Sequence, residues 1–393
     1  MRTLILSCST GQGHNSVAKA IKNVFDARGQ YCEIVDALSF ISPRFAKFMD
    51  WGHATMYRKI PVLFKLGYRF SENHDGSFKE GSPAWRMLTS GSKPMAKYIK
   101  DGGFDNIICT HNFPGIMLEQ ALKKMPMDVY TSMVATDYTC SPGMKDSNLH
   151  RCYIPAKSLS RDFTRGKITA DKILATGIPV RQDFYTCLTK AEARDKLGLP
   201  TDCRHAVMMS GSMGCGPMAD LAVKLAETLP DDCHVTIICG TNEKLYEELS
   251  EKLSAYPNMH VLGFTSEIST LMDSADLYLT KPGGISVTEA AAKKLPMVLI
   301  QAVAGCEEYN RDFFLATGGA VTSKDTDGLA ELCLKLLTDE ERLKTMSNKL
   351  ADLSRFNGAK RIYSDIAAHF AAKGAMDEFN DTRRVKTPAT PAP

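Results

Sequence analysis

The sequence predicts an α/β protein made of two Rossmann-like domains that face a cleft. A strand, a glycine loop, a helix and a second strand follow one another within residues 2–37, which is the opening unit of a doubly wound parallel sheet. The same pattern restarts at Ala206, after a charged connection that contains Gly198 and Pro200. A length of 393 residues suits two domains with separate cores.

Composition narrows the class of protein. Hydrophobic residues make up 44% and charged residues 24% of the chain, as in ordinary soluble proteins, and a net charge of +3 does not argue for nucleic acid. No uncharged apolar run approaches the roughly 20 residues of a membrane span, and the N-terminus lacks a signal-peptide pattern. The 12 cysteines contain no C-x-x-C pair, which predicts reduced thiols in a cytoplasmic protein and no structural zinc.

The first domain opens with strand Arg2–Ser7, a polar glycine loop that ends at His14, helix Ser16–Arg28 and strand Tyr31–Ala37. The loop lacks the glycine spacing of a dinucleotide site and the Lys-Ser/Thr of a P-loop, so neither NAD nor ATP is indicated. The positive end of the helix dipole would lower the pKa of His14, and a neutral imidazole can remove a proton from a hydroxyl. Equally, His14 could do no more than cap the helix.

The segment Pro43–Phe70 differs from the rest of the chain. It carries six basic residues against the single acid Asp50, and seven aromatic residues are interleaved with them. Such a segment can lie on an anionic membrane surface, and equally it can be a helix packed on the sheet with a solvated basic face. Its predicted membrane or acceptor contacts are Phe48, Trp51, Arg58 and Lys59. The polar residues 72–92 are predicted to form a mobile loop.

Four further strands complete the first predicted sheet: Asn106–His111, Val129–Asp137, Arg151–Ile154 and Lys172–Ala175. The first two end in the polar clusters Thr110-His111-Asn112 and Thr136-Asp137-Tyr138. Carboxyl ends of parallel strands meet at one edge of a sheet, so both clusters should lie beside His14. Asp137 is predicted to orient His14 or to hold an acceptor hydroxyl; the alternative is a helix or turn cap.

The second domain repeats the pattern with strands Ala206–Met209, Val235–Cys239, Met259–Leu262, Leu277–Lys281 and Met297–Ile300. A second glycine loop, Ser210–Gly216, follows the first of these strands and leads into helix Met218–Thr228. Gly240 and Phe264 follow the next two strands. Two such halves, each with polar loops at the carboxyl ends of its strands, imply a ligand cleft between them.

The turn Pro282-Gly283-Gly284 is the strongest single indication of a ligand. It connects a buried strand to helix Ile285–Lys294, and free backbone N–H groups at the positive end of a helix suit a diphosphate. Glu289 lies one turn into this helix, where its carboxylate could accept hydrogen bonds from the two hydroxyls of a ribose. The alternative is a plain strand-to-helix turn in which Ser286 caps the helix.

The last part of the chain adds a polar loop and two helical regions. The loop Gly305–Asn310, which contains Glu307, follows a strand at the predicted ligand edge. Leu329–Leu353 is predicted to be helical, and Phe356–Lys373 to be a helix that crosses back onto the first domain. The Pro-rich tail from residue 377 is predicted to be disordered.

Several stretches occur in one order between residues 1 and 310: LSCSTGQGHNSVAKA, NIICTHNFPGIMLEQAL, VATDYT, KILATGIPVRQDF, MMSGSMGCG, IICGTN, VLGF and LMDSADLYLTKPGGISVTEA. With them the chain resembles glycosyltransferase family 28, in particular bacterial diacylglycerol glucosyltransferases and plant monogalactosyldiacylglycerol synthases. The resemblance implies the GT-B fold without a bound metal or other cofactor. It also implies inverting transfer of a hexose, glucose by preference, from a UDP-hexose to diacylglycerol at the cytoplasmic membrane face.

The resemblance assigns roles by position. His14 matches the base that acts on the acceptor hydroxyl. The positions that match donor-binding residues are Gly211, Ser212 and Gly214 (donor phosphates), Gly283, Gly284 and Ser286 (second phosphate loop), Phe264 (backbone to uracil) and Glu289 (ribose). Gly240, Glu307 and Asn310 are predicted to contact the UDP-sugar as well, and Asp137 to act beside His14. The implied domains are 1–185 for the acceptor and 200–355 for the donor, followed by a return helix over 356–376 and a disordered tail over 377–393.

The sequence departs from the family pattern at two places. Gly305-Cys306-Glu307 stands where members usually carry Gly-Gln-Glu, and Thr139–Met144 lacks the His and Trp of many members. The donor hexose and the acceptor pocket therefore stay open. Alternatives of the same fold are an N-acetylglucosamine transferase acting on a polyprenyl-linked lipid and a hydrolysing UDP-sugar epimerase. A non-enzymatic alternative is a membrane-surface sensor of UDP-sugar.

Overall fold

The computed structural model describes residues 1–8, 12–46, 78–211, 214, 217–300 and 305–384, with side chains described to residue 374. Most of the basic aromatic segment, with Phe48, Trp51, Arg58 and Lys59, lies outside these ranges, as does Ser212 of the second glycine loop. Membrane contact and phosphate binding by these residues stay predictions. None of the described helices combines the length and the apolar character needed to cross a bilayer.

The first half of the chain forms a parallel sheet whose described strands are β1 Arg2–Ser7, β2 Tyr31–Asp36, β3 Asn106–Cys109, β4 Tyr130–Val134, β5 Arg151–Ile154 and β6 Ile173–Ala175. Their order in the sheet is β2-β1-β3-β4-β5-β6. Ile5 and Ile108 point to one face, and Leu4, Leu6 and Ile107 to the other; all five are fully buried. Both faces are covered, which explains why these strands read as continuous apolar runs.

The helices of this half are α1 Gln12–Asp26, α2 Pro83–Thr89, α3 Ser92–Asp101, α4 Asn112–Lys124 and the short α5 Ser160–Phe163. Helix α1 packs on one face of the sheet, and α3 and α4 pack on the other. The prediction of a mobile loop over residues 72–92 is wrong for α2. Ser82 caps that helix at the Trp85 N–H, Pro83 occupies its first turn, and Leu88 is buried, so local capping and burial outweigh the polar composition.

The second half repeats the architecture with strands β7 Arg204–Met209, β8 Cys233–Ile238, β9 Met259–Leu262, β10 Leu277–Thr280, β11 Met297–Leu299 and β12 Ala320–Thr322. Their order is β12-β11-β10-β7-β8-β9, and all described pairings are parallel. Strand β12 is absent from the sequence-based prediction. It has only three residues and ends exposed, so it carries no apolar run that sequence reasoning could detect.

The helices of this half are α6 Lys190–Leu197, α7 Met218–Thr228, α8 Glu243–Lys252, α9 Ile268–Ser274, α10 Gly284–Ala292, α11 Cys306–Thr317, α12 Thr326–Leu337 and α13 Glu340–Leu350. The connection between the halves is ordered by α6. Thr189 and Glu192 form a capping box at its start, and Gly198, with φ 70°, ends it in the left-handed conformation.

The last described helix, α14 Gly358–Arg384, returns to the first half as predicted. Tyr363 packs edge-on against Phe25 of α1, and Asp365 accepts hydrogen bonds from Arg151 and from the Tyr153 hydroxyl. The helix continues past residue 376, where the sequence predicts a disordered tail. The region contains Glu378, Arg383 and Arg384, which favour helix, and the first proline of the tail comes only at position 388.

Candidate active site

The carboxyl ends of β1, β3 and β4 lie next to one another and converge on His14. Helix α1 begins at Gln12, so His14 lies in its first turn, directly beyond β1. Thr110 follows β3, and Thr136 and Asp137 follow β4. The structure therefore brings His14 together with the two polar clusters that the sequence places at this edge of the sheet.

A backbone carbonyl sets the tautomer of His14. The Nδ1 atom lies 2.9 Å from the Thr110 carbonyl oxygen. A carbonyl can only accept, so Nδ1 must carry the proton and donate it. In the neutral ring the lone pair is then on Nε2, the atom that can take a proton from a substrate. The ring nitrogen bonds across to the neighbouring strand, so the geometry does not support the alternative that His14 only caps α1.

The surroundings of His14 favour its neutral form. The ring is half-buried, and burial lowers its pKa below the usual value; the Asp137 carboxylate and the hydrogen bond to Thr110 oppose this effect. The ring of His111 lies edge-on with its centroid 4.5 Å from that of His14. His111 has a structural task, because its Nδ1 accepts the Phe113 N–H and caps α4. Of the two histidines, His14 is thus the better placed to act as a base.

Asp137 is near His14 but acts on it through a neighbour. The Thr136 hydroxyl lies 3.2 Å from His14 Nδ1 and 3.4 Å from Asp137 Oδ2. The direct partner of the imidazole is the Thr110 carbonyl, so the prediction that Asp137 orients His14 needs correction to an indirect effect through Thr136 and through charge. No sequence pattern reports a backbone carbonyl, because every residue has one.

The Asp137 carboxylate also meets the second half of the molecule. Its Oδ1 accepts a 2.9 Å hydrogen bond from Asn310 Nδ2, and the Cys306 thiol donates to the same carboxylate. Asn310 is fully buried; its Oδ1 accepts the Tyr138 N–H at 2.7 Å, and its Nδ2 also donates to the Pro282 carbonyl at 3.0 Å. Both amide hydrogens are used, so Asn310 could donate a hydrogen bond to a donor sugar only by giving up a partner.

The two halves touch at the turn between β10 and α10. A Cβ atom on Gly284 would lie 2.1 Å from the Thr136 carbonyl oxygen, so only glycine allows this approach. A Cβ on Gly13 would lie 3.3 Å from the Ile285 side chain. The Tyr138 hydroxyl meets Thr288 Oγ1 at 3.0 Å. His14 and the predicted phosphate turn therefore lie on either side of this contact.

Helix α10 begins without a side-chain cap. Its N-cap is Gly283, and no side-chain hydrogen bond caps it, which contradicts the alternative that Ser286 serves only as a cap. The uncapped N–H groups of the first turn are suited to an anion.

Gly211 of the second glycine loop lies beside this turn. Gly211 and Gly214 have φ values of 67° and 54°, and a Cβ on Gly214 would lie 2.7 Å from the Cys239 carbonyl oxygen. Asn242, which follows Gly240, donates to the Gly214 carbonyl and caps α8. The Phe264 side chain is 77% exposed, which leaves only its backbone for a buried contact. Phosphate and uracil binding by these residues stay predictions.

Lys281 is a candidate that sequence reasoning missed. It follows β10, and a Cβ on Gly211 would lie 2.9 Å from its Cε atom. Its Nζ atom lies 3.1 Å from Glu307 Oε1, with 17% and 9% of the two side chains exposed. Glu307, predicted to bind the donor sugar, is thus also the counter-ion of Lys281. The available signal was a lysine immediately before Pro-Gly-Gly, at the end where phosphates bind.

Glu289 lies on the inner side of α10, near the connection between the halves. Burial raises its pKa to about 8; the Arg181 cation opposes this shift and Asp183 adds to it. A carboxyl group with this pKa is largely protonated at pH 7, and a small favourable interaction is enough to ionise it. A ligand that donates hydrogen bonds to the carboxylate would therefore bind with release of a proton.

We expect Glu289→Ala to raise the donor KM at least tenfold, because two hydrogen bonds to a charged group are lost. In the wild type the donor KM should fall as the pH rises from 6 towards 8, since the carboxylate is the better acceptor, and Glu289→Gln should remove this trend. The measurement is donor KM from pH 6 to 9. Glu331→Gln, an exposed change on α12, is the control, and an unchanged KM in Glu289→Ala would contradict the assignment.

Two families match different parts of this chain. Residues 14–180 match the family described as Monogalactosyldiacylglycerol (MGDG) synthase, and residues 209–351 match Glycosyl transferases group 1. A protein of Bacillus pumilus named processive diacylglycerol beta-glucosyltransferase is 26% identical over 369 residues, 93% of this chain and 94% of that protein. A probable chloroplastic monogalactosyldiacylglycerol synthase of Glycine max is 26% identical and covers 97% of this chain and 74% of its own.

Solved structures share the fold at low identity. MurG of Acinetobacter baumannii superposes with a TM-score of 0.62 at 12% identity, covering 94% of this chain and 99% of its own. UDP-GlcNAc 2-epimerase of Neisseria meningitidis, bound to UDP-GlcNAc, gives a TM-score of 0.59 at 12% identity, with 94% and 100% covered. These likenesses confirm the predicted GT-B fold of two Rossmann-like domains and do not by themselves indicate an activity.

Proposed function

This chain belongs to the glycosyltransferase family of the diacylglycerol glucosyltransferases and monogalactosyldiacylglycerol synthases, and on that premise we propose that it moves glucose from UDP-glucose to diacylglycerol. It is a hexosyltransferase of glycolipid synthesis. The choice of glucose rests on the bacterial relatives, and the acceptor on the names of both groups of relatives. We place the reaction at the inner face of the cell membrane, because a lipid acceptor and the basic aromatic segment both favour that surface.

One observation carries the proposal: His14 and the uncapped start of α10 lie on either side of the contact between the two halves. A base on one side and an anion site on the other are what transfer from a nucleotide sugar to a hydroxyl requires. The distance between the halves at Gly284 and Thr136 leaves no room for a larger side chain, so His14 and the start of α10 are held close together.

In the proposed reaction, His14 Nε2 takes the proton of the acceptor hydroxyl as that oxygen attacks the anomeric carbon. The new carbon–oxygen bond forms on the face opposite to UDP, which gives inversion. The bond from the anomeric carbon to the diphosphate oxygen breaks, and UDP leaves with the electron pair. Its growing negative charge would meet the N–H groups of α10, the Gly211 loop and the Lys281 cation.

A donor screen tests this function. Purified protein is mixed with diacylglycerol in anionic vesicles and, in turn, with UDP-glucose, UDP-galactose or UDP-N-acetylglucosamine, while UDP release and lipid-linked sugar are measured. We expect UDP-glucose to give both signals. A lipid product from UDP-galactose alone would correct the sugar, and UDP release without an acceptor would favour the epimerase. Failure with every donor would overturn the proposal.

A further inference from the structure

We propose that Asn310 is a positioning residue which, with Cys306, holds Asp137 in place from the opposite half of the molecule. The inference rests on the proposed function, because it concerns how the base of that reaction is assembled. The environment of His14 is therefore complete only when the two halves are in contact. This role differs from the direct donor contact that the sequence predicts for Asn310.

Helix α11 presents two side chains to Asp137. Cys306 and Asn310 are four residues apart on this helix, so their side chains lie on the same face. That face meets the Asp137 carboxylate, which receives the Asn310 amide at 2.9 Å and the Cys306 thiol. The side-chain oxygen of Asn310, Oδ1, also accepts the Tyr138 N–H at 2.7 Å, so the same side chain holds the backbone beside Asp137.

The contact at Asp137 extends through Thr136 to His14. Asp137 Oδ2 lies 3.4 Å from the Thr136 hydroxyl, which lies 3.2 Å from His14 Nδ1. Asn310 donates its other amide hydrogen to the Pro282 carbonyl at the predicted phosphate turn. One buried side chain therefore bonds both to the turn that would bind the donor and to the carboxylate that acts on the base.

This arrangement affects the protonation of the His14 imidazole. Among the described residues, the titratable or charged groups facing His14 are Asp137 and His111. Asp137 is faced by Cys306 of α11, and the Lys281–Glu307 pair lies near Cys306. Donors on Asp137 disperse its negative charge and exclude water. Their removal would leave a barer carboxylate and a wetter site, and both changes stabilise the imidazolium. The base would then be protonated over a wider range of pH.

The experiment combines titration with kinetics. The imidazole of His14 is titrated by NMR in the free protein, with its signal assigned from the His14→Gln spectrum. Asn310→Ala should raise the pKa of His14 by about half a unit or more. In the Asp137→Asn background the same change should give at most half that shift, because the charge it modulates is gone. Asp312→Asn, an exposed change on α11, should give no shift.

Kinetics separate this role from donor binding. With whichever donor supports turnover, Asn310→Ala should lower kcat about tenfold and change the donor KM less than threefold. A tenfold rise in KM with an unchanged His14 titration would instead make Asn310 a donor ligand and overturn the proposal. The titration needs no substrate, so it can succeed or fail independently of the donor screen.

A second pair of variants covers the case in which Asn310→Ala does not fold. Cys306→Ser keeps a hydrogen-bond donor towards Asp137, whereas Cys306→Ala removes it. We expect the serine variant to titrate like the wild type and the alanine variant to shift upwards. Identical titration curves for wild type, Cys306→Ser and Cys306→Ala would contradict the role given to this face of α11.

Discussion

Replacing His14 with alanine is expected to lower kcat by about a thousandfold, the central effect of removing a general base. The acceptor hydroxyl would have to lose its proton without a positioned partner. The proposed donor site lies on the opposite half of the molecule, so the donor KM should change less than threefold. The remaining kcat should also lose its dependence on pH below neutrality.

The pH profile of the wild type gives an independent check. His14 must be neutral to accept a proton, and burial lowers its pKa. At saturating donor, kcat should therefore fall only as the pH drops well below about 6.5, the ordinary pKa of histidine. An acidic limb of kcat above that value would contradict the assignment.

His111→Asn is the matched comparison for His14→Ala. Asparagine can still cap α4 at the Phe113 N–H, so the variant should fold and lose at most a few-fold in kcat. A larger loss in His111→Asn than in His14→Ala would transfer the role of the base to His111. Equal turnover by wild type and His14→Ala would show that His14 is not the base. Donor binding without turnover in both proteins would favour a non-enzymatic sensor over a transferase.

Lys281→Met is expected to lower kcat about a hundredfold, since a cation beside the departing diphosphate would be lost. It would also leave the buried Glu307 carboxylate without its counter-ion, a change that typically destabilises a protein by about 3–5 kcal/mol. The two effects can be separated by the double variant Lys281→Met/Glu307→Gln. We expect the double variant to regain stability and to keep the defect in kcat.

The control for this experiment is the second buried lysine pair of the same half. Lys293 and Asp273 are 1% and 5% exposed and lie 2.8 Å apart at the far end of α10. Lys293→Met/Asp273→Asn should change the unfolding temperature and leave kcat within a few-fold. Thermal unfolding and steady-state kinetics on all variants make the comparison. Recovery of full kcat in Lys281→Met/Glu307→Gln would show that Lys281 has only a structural role.

The sequence alone determined the fold of this protein and the edge of each sheet where the site lies. Apolar runs that end in glycine or polar turns are local signals, and they placed the predicted strands of both sheets within a few residues of their observed bounds. The sequence did not predict strand β12 or helix α2. Strand β12 is too short for a pattern, and helix α2 depends on one cap and one buried leucine.

Only the tertiary structure decided which atoms act on one another. The bond from His14 to Thr110 joins residues 96 positions apart and ends on a backbone carbonyl, a group that all residues share. The bond from Asn310 to Asp137 spans 173 positions and exists because the two halves meet at Gly284. The raised pKa of Glu289 is likewise a result of burial between segments distant in sequence. Local patterns encode strands and turns, whereas the tautomer of a base and the charge of a carboxylate depend on how the two finished domains pack together.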